Sequence, residues 1–149
     1  MVKIRSALPV DAQEISKVES EAHPQEVAAT LEDFREYLSD PQKRQTILVA
    51  ENDGIVAGFL GYTIQEKYRV YIWDIAVRQN QRSRGIATNL LTALITKAAA
   101  QGMRSVFLKV SDENIPAHRL YGRFNFVLKD QLKDYYGHSR DAFVLELIL

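Results

Sequence analysis

The sequence predicts one α/β domain built on a mixed sheet with helices packed against it. Three observations carry that expectation. Apolar runs spaced for strands alternate with apolar runs spaced for helices, in the order β-α-α-β-β-β-α-β-α-β-β. A length of 149 residues suits one domain. A hydrophobic share of 46% against 26% charged residues supplies one sizeable core and excludes disorder as the main state.

Each element has a local reason. Val2–Leu8 alternates enough for a short strand, and Pro9 stands where a helix can start, with Ile15, Val18 and Ala22 on one apolar face. His23 and Pro24 end that helix. Thr30 is placed as an N-cap, with Asp33 in the first turn, Phe34, Tyr37 and Leu38 as the packing face, and Pro41 after the stop. Thr46–Glu51 and Ile55–Gln65 are β runs joined by Asn52-Asp53-Gly54, and Asp-Gly between apolar runs signals a hairpin. Val70–Val77 is a third consecutive strand. Ile86, Leu90, Leu91, Leu94, Ile95 and Ala98 recur at helical spacing, with Gly102 placed as a cap. Ser105–Val110 is a strand, and Asn114 opens a short helix to Arg123 that tolerates Pro116 in its first turn. Phe126–Leu132 and Ala142–Leu149 form a last antiparallel pair around Tyr135-Tyr136-Gly137.

Charge narrows the partners. Nineteen basic and nineteen acidic residues cancel, which argues against a nucleic-acid or membrane partner bound through net charge. No apolar run reaches the roughly 18 residues of a membrane span, and Met1–Arg5 lacks the apolar stretch of a secretory signal. The absence of cysteine removes disulfides, thiolate metal sites and a cysteine nucleophile, so a cytoplasmic acid/base or cofactor-using protein is expected. The charge is unevenly spread: residues 11–40 hold nine acids, Glu26 among them, against Lys17 and Arg35. Those acids either line solvated helix faces or form a rim for a cationic substrate, opposite a basic half suited to an anionic cofactor.

The informative stretch is Ile75-Ala76-Val77-Arg78-Gln79-Asn80-Gln81-Arg82-Ser83-Arg84-Gly85-Ile86-Ala87-Thr88. A strand enters a loop with three arginines and then a long helix. Helix N-termini present unbonded N–H groups and a favourable dipole to an anion, and Arg78, Arg82 and Arg84 can add charge-assisted bonds. The pattern is neither a nucleoside-triphosphate P-loop nor a dinucleotide fingerprint. Asn114, His118 and Tyr121 share one face of their helix. His23 and His138 offer no evident ligand spacing, so no metal is expected.

Tyr71-Ile72-Trp73-Asp74-Ile75-Ala76-Val77 followed by Arg82-x-x-Gly85-x-Ala87 resembles motif A of the GNAT acyltransferase superfamily. Asn114-x-x-Ala117-x-x-Leu120-Tyr121-x-x-x-x-x-Phe126 resembles its next motif. The ending Tyr135-Tyr136-x-x-x-x-Asp141-Ala142 is similar to that of the RimI-like subgroup, which acetylates protein N-termini. The resemblance covers approximately residues 3–149 and implies one GNAT domain over 1–149, with a mixed, mostly antiparallel sheet flanked by helices.

It implies acetyl-coenzyme A as donor and a primary amine as acceptor, favouring a protein or peptide N-terminus. An acetyltransferase of a small-molecule amine and a non-catalytic acyl-coenzyme A binding module are the alternatives. A homodimer is the expected assembly. By this resemblance Ile75, Ala76 and Val77 offer backbone bonds to the pantetheine arm and thioester. Arg82, Ser83, Arg84, Gly85, Ile86, Ala87 and Thr88 cradle the pyrophosphate, and Asn114 bonds the cofactor. Tyr121 is the general acid, and Tyr71 is a second catalytic candidate at a position where some relatives carry a base. Tyr135 and Tyr136 bind the acceptor. Three departures stand out. Lys109 occupies the place of a glutamate or histidine base, Asn125 replaces a glycine before Phe126, and Ala22-His23-Pro24-Gln25 lacks the aromatic that peptide-acetylating relatives often carry.

Overall fold

A computed structural model of the chain describes residues 1–23 and 28–149. Pro24 and Gln25, at the expected helix stop, and Glu26 of the acidic segment lie outside the described residues. The chain divides into two compact units, one of Met1–Thr63 with Asp74–Thr96 and one of Ile64–Trp73 with Lys97–Leu149.

The first unit opens with β1 (Val2–Ser6), a 3-10 turn at Pro9–Asp11, α1 (Ala12–Ala22) and α2 (Leu31–Ser39). Pro9 thus begins a 3-10 turn, and the α-helix waits until Ala12. The reason lies in Asp11. Its carboxylate accepts the Leu8 N–H at 2.7 Å and a two-pronged bond from Arg5 at 2.8 and 3.0 Å, which ties the turn to β1 before the helix starts. Thr30 caps α2 as expected. Its hydroxyl accepts the Asp33 N–H and the Asp33 carboxylate accepts the Thr30 N–H, a reciprocal capping box. β2 (Thr46–Asn52) and β3 (Ile55–Gln65) form the expected antiparallel hairpin. Asp53 and Gly54 both have positive φ, 52° and 79°, as a two-residue I′ turn requires. β1 pairs antiparallel with β2. Ile15, Val18, Phe34, Val49, Phe59 and Leu90 are fully shielded and form this unit's core, with the Phe34 and Phe59 rings edge-on at 5.5 Å.

β4 (Arg69–Val77) and α3 (Ile86–Ala100) each contribute residues to both units. Within the first, Gly58 on β3 faces the end of β4. A side chain there would bring its Cβ to 2.7 Å from the Ala76 carbonyl oxygen, so only glycine allows this approach.

The second unit holds β5 (Ser105–Ser111), α4 (Ile115–Arg123), β6 (Val127–Leu132) and β7 (Ala142–Ile148). β4 and β5 are parallel, paired from Arg69↔Ser105 to Ile72↔Leu108. β7 lies antiparallel between β5 and β6. Asn125 takes φ +66° at the turn into Phe126, a conformation asparagine tolerates. Val70, Val106, Leu108, Leu120 and Tyr121 are the buried centre of this unit. The fold class is the expected one: seven strands, mostly antiparallel, flanked by helices. No helix among the described residues is long and apolar enough to cross a membrane.

Candidate active site

The residues singled out in the sequence fall into two groups, one in each unit. In the first unit, β4 leads through a 3-10 turn at Gln79–Gln81 into α3. The three arginines of that connection behave differently. Arg78 is committed. Its Nε donates to the Val56 carbonyl at 2.7 Å, and its terminal nitrogens reach Glu21 at 3.2 Å and Glu14. Glu21 also accepts the Gln79 N–H. Arg78 is therefore a strut between β3, β4 and α1, which corrects its expected role as a phosphate contact.

Arg82 and Arg84 are exposed and pair with no described residue. Between and beyond them, Ser83 and Gly85 adopt positive φ, 65° and 74°. This brings the chain sharply into α3, whose first retained bond runs from the Asn89 N–H to the Gly85 carbonyl at 2.9 Å. The N–H groups of Ile86, Ala87 and Thr88 precede that bond and have no acceptor within the helix. Added side-chain bulk at Gly85 would meet open space, so the glycine serves the backbone angle and not the clearance. Two exposed guanidinium groups beside a helix N-terminus make an anion-binding arrangement.

The same unit gathers three groups that the sequence reading missed. Glu19 and His23 on α1 meet Asp74 on β4. His23 Nε2 lies 3.2 Å from Asp74 Oδ1 and 3.6 Å from Glu19 Oε1. Glu19 is only 4% exposed. Burial pushes its carboxyl up to about 8, the Asp74 carboxylate adding to the rise and His23 opposing it. One signal was available, the i,i+4 spacing of Glu19 and His23; the partner 51 residues away was not. Glu14, Glu19 and Glu21 are thus turned to Arg78, His23 and Asp74. The acidic segment is in part internal pairing, beyond the two readings of it as a solvated face or a substrate rim.

In the second unit, Tyr71 on β4 lies against Phe107 on β5, ring centroids 4.9 Å apart. Burial, with a smaller contribution from Tyr135, raises the Tyr71 phenol above its ordinary value. The Lys109 ammonium sits 5.6 Å from the Tyr71 ring centre and 5.4 Å from that of Tyr135. The expected base position thus holds a cation between two aromatic faces. Tyr135 and Tyr136 stand edge-on at 5.0 Å on the connection between β6 and β7. Asp141 fixes that connection by accepting from the Asp134 N–H and from Gln131 Nε2, contacts that hold its carboxyl below the usual range.

α4 carries the remaining candidates. Asn114 caps the helix by accepting the Ala117 N–H at 3.2 Å. His118 bonds the Ser111 carbonyl at 2.9 Å. Tyr121 is 3% exposed, its ring edge-on to Phe126 at 5.4 Å. The structure therefore groups Tyr71 with Tyr135 through Lys109, and Asn114 with Tyr121 along one helix.

Residues 11–126 match the model of the acetyltransferase (GNAT) family. An N-alpha-acetyltransferase of Sulfolobus acidocaldarius is 28% identical over 96% of this chain and 90% of its own. The N-alpha-acetyltransferase MAK3 of Arabidopsis thaliana is 36% identical over 56% of this chain, a match that spans only 44% of that relative's length. Among solved structures, the ribosomal-protein-S18-alanine N-acetyltransferase from Escherichia coli superposes with a TM-score of 0.86. That match covers 99% of this chain and 94% of the other at 22% identity.

Proposed function

The chain belongs to the GNAT acetyltransferase family, as an acetyl-coenzyme A-dependent N-acetyltransferase, and on that premise we propose that its acceptor is the N-terminal amine of a protein or peptide. The amine nitrogen attacks the thioester carbon, the C–S bond breaks, and the amine's proton and the thiolate's proton must each be handled by the protein.

The observation that carries the donor side is the pair Arg82 and Arg84, exposed and uncommitted ahead of the unbonded amides of α3. Arg82, Ser83, Arg84, Gly85, Ile86, Ala87 and Thr88 would hold the pyrophosphate. The backbone groups of Ile75, Ala76 and Val77 at the end of β4 would bond the pantetheine arm, the role the family resemblance gives them. The Asn114 side-chain oxygen already caps α4, so its amide nitrogen is the group left for the donor. Tyr121 would protonate the departing thiolate. A phenol raised by burial stays protonated at neutral pH, so Tyr71 suits a hydrogen-bond donor better than a base.

The acceptor side rests on Tyr135 and Tyr136. Two phenols on a connection pinned by Asp141 can hold an extended backbone without dictating its side chains. An α-amine is partly neutral at pH 7, with a pKa of about 7.7–8.0, and so makes fewer demands on a base than a lysine does.

Calorimetry tests the donor side. Arg82→Ala with Arg84→Ala should weaken coenzyme A by roughly 1.5–3 kcal/mol per lost charged bond and leave a phosphate-free pantetheine analogue unaffected. Equal coenzyme A affinity in variant and parent would overturn the cradle. A panel of peptides and small amines, read by thiol release, tests the acceptor; turnover confined to small amines would overturn the peptide assignment.

A further inference from the structure

We propose that Glu19, His23 and Asp74 form a binding site for one divalent metal ion of the zinc class. Their donor atoms all lie within 4.8 Å of one another. The two measured edges of the triangle, 3.2 Å from His23 Nε2 to Asp74 Oδ1 and 3.6 Å from His23 Nε2 to Glu19 Oε1, can be compared with a real coordination sphere. A tetrahedral ion with bonds of about 2.0–2.2 Å separates its ligand atoms by roughly 3.3–3.6 Å. The third edge, between Glu19 and Asp74, is no longer than 4.8 Å, so the movement needed is for those two carboxylates to draw together.

Glu19 supplies the second, independent observation. Its Oε1 is buried and has no hydrogen-bond partner among the described residues. The 3.6 Å to the His23 ring is too long for a hydrogen bond, so the ion pair alone leaves this oxygen unsatisfied; without a metal it is satisfied only when a protonated Glu19 donates to Asp74. A metal ion would satisfy it. Glu19 also accepts the Ala29 N–H through Oε2 at 3.4 Å, which leaves Oε1 as the ligating oxygen.

The donor set selects the class of ion. Three protein ligands are too few for calcium, which takes six to eight oxygens, and an imidazole nitrogen disfavours magnesium. One imidazole and two carboxylates suit zinc, cobalt(II) or manganese(II), with water in the remaining position on the side where the His23 ring is partly exposed. Two carboxylate charges balance the dication. None of the three belongs to the anion cradle, and the proposal stands whether or not the acetyl-transfer reading does.

The test uses the full chain, stripped with chelator and desalted, then titrated by calorimetry with zinc and, separately, cobalt(II), magnesium and calcium. The expected result is one equivalent of zinc bound at micromolar or tighter affinity, with magnesium and calcium much weaker. His23→Ala and Asp74→Asn should each weaken zinc by at least ~10-fold, the loss typical of even an outer-shell defect. His138→Ala should leave it unchanged. Failure of the wild-type chain to take up zinc, or equal affinity in His23→Ala and Asp74→Asn, would overturn the site. If those variants do not fold, X-ray absorption of the zinc-loaded wild type decides: one imidazole with oxygen ligands supports the site, and two or more imidazoles overturn it.

Discussion

Two regions of this molecule place titratable groups in half-buried surroundings, and they do it with different chemistry. At α1 and β4 of the first unit, ionisable groups meet one another: Arg78 with Glu14 and Glu21, and His23 with Glu19 and Asp74. In the second unit, cations lie over rings: Lys109 by Tyr71 and Tyr135, Arg69 over Phe107 at 4.1 Å, and Arg140 over Tyr136 at 5.7 Å. The difference predicts opposite sensitivities. A buried carboxylate stranded without its partner keeps its desolvation penalty. A lysine that loses a ring partner rehydrates at little cost. Glu19 should make the first region respond to pH, and the second should respond to the loss of one hydroxyl only where that hydroxyl does chemistry.

The largest effect expected is at such a hydroxyl. Tyr121→Phe keeps the ring that packs on Phe126 and removes only the oxygen. If Tyr121 is the general acid, kcat should fall by about 10²–10⁴ with donor KM little changed. Thermal unfolding of the variant, measured alongside, separates chemistry from packing. A kcat within about twofold of the parent would make Tyr121 a packing residue and leave the proton of the departing thiolate to another donor.

The next effect sharpens the electrostatic half. Glu19 in the folded protein holds its proton up to about pH 8, whereas an unfolded glutamate releases it near 4.5. Between those values the folded state binds more protons, so stability falls as pH rises through that window and levels off above it. Glu19→Gln cannot lose a proton. In chelator, its stability relative to the parent should therefore climb from pH 5 to pH 9, by something on the order of 1–3 kcal/mol. Urea unfolding at both pH values measures this. A constant difference would show that Glu19 is an ordinary carboxylate and that the cluster's burial has no electrostatic consequence.

How far the sequence disclosed these regions follows from distance along the chain. The Thr30–Asp33 capping box and the Asp53-Gly54 turn depend on residues at most three apart, and both were legible; the backbone angle at Gly85 was not, the glycine reading as clearance for a pyrophosphate. Nor was the 3-10 turn at Pro9: Asp11 reaches back to the Leu8 N–H, but the Arg5 that holds its carboxylate comes from β1, and no propensity encodes that pairing. The structural engagement of Arg78 was hidden because its partner Glu14 lies 64 residues away. Asp74 went unremarked beside the more informative Ile75–Val77. Lys109 was visible as a departure, yet its two aromatic faces come from β4 and from the β6–β7 connection, and only folding brings those together. Spacing therefore reveals what one helix or one turn needs, and leaves hidden the groups that separate elements exchange.

The smallest effect tests the ring half directly. Lys109→Met keeps the aliphatic stem against the tyrosine faces and removes the charge. Distances of 5.4 and 5.6 Å to two ring centres lie near the outer limit of a cation–π contact, and each is worth roughly 0.5–1 kcal/mol where solvent is near. The methionine sulfur can recover part of that by its own contact with the rings. The net loss in unfolding free energy should thus stay below about 1 kcal/mol. Acceptor kinetics add a second reading. A positive charge held between Tyr71 and Tyr135 raises the free energy of an ammonium beside it and favours the neutral amine that attacks the thioester. If the acceptor binds at Tyr135 and Tyr136, removing the charge should lower acceptor KM for the ammonium form and reduce kcat at pH 7, with less effect at pH 9 where the amine is already neutral. An acceptor KM and a kcat that both stay fixed across that range would place Lys109 away from the acceptor and reduce it to a packing contact.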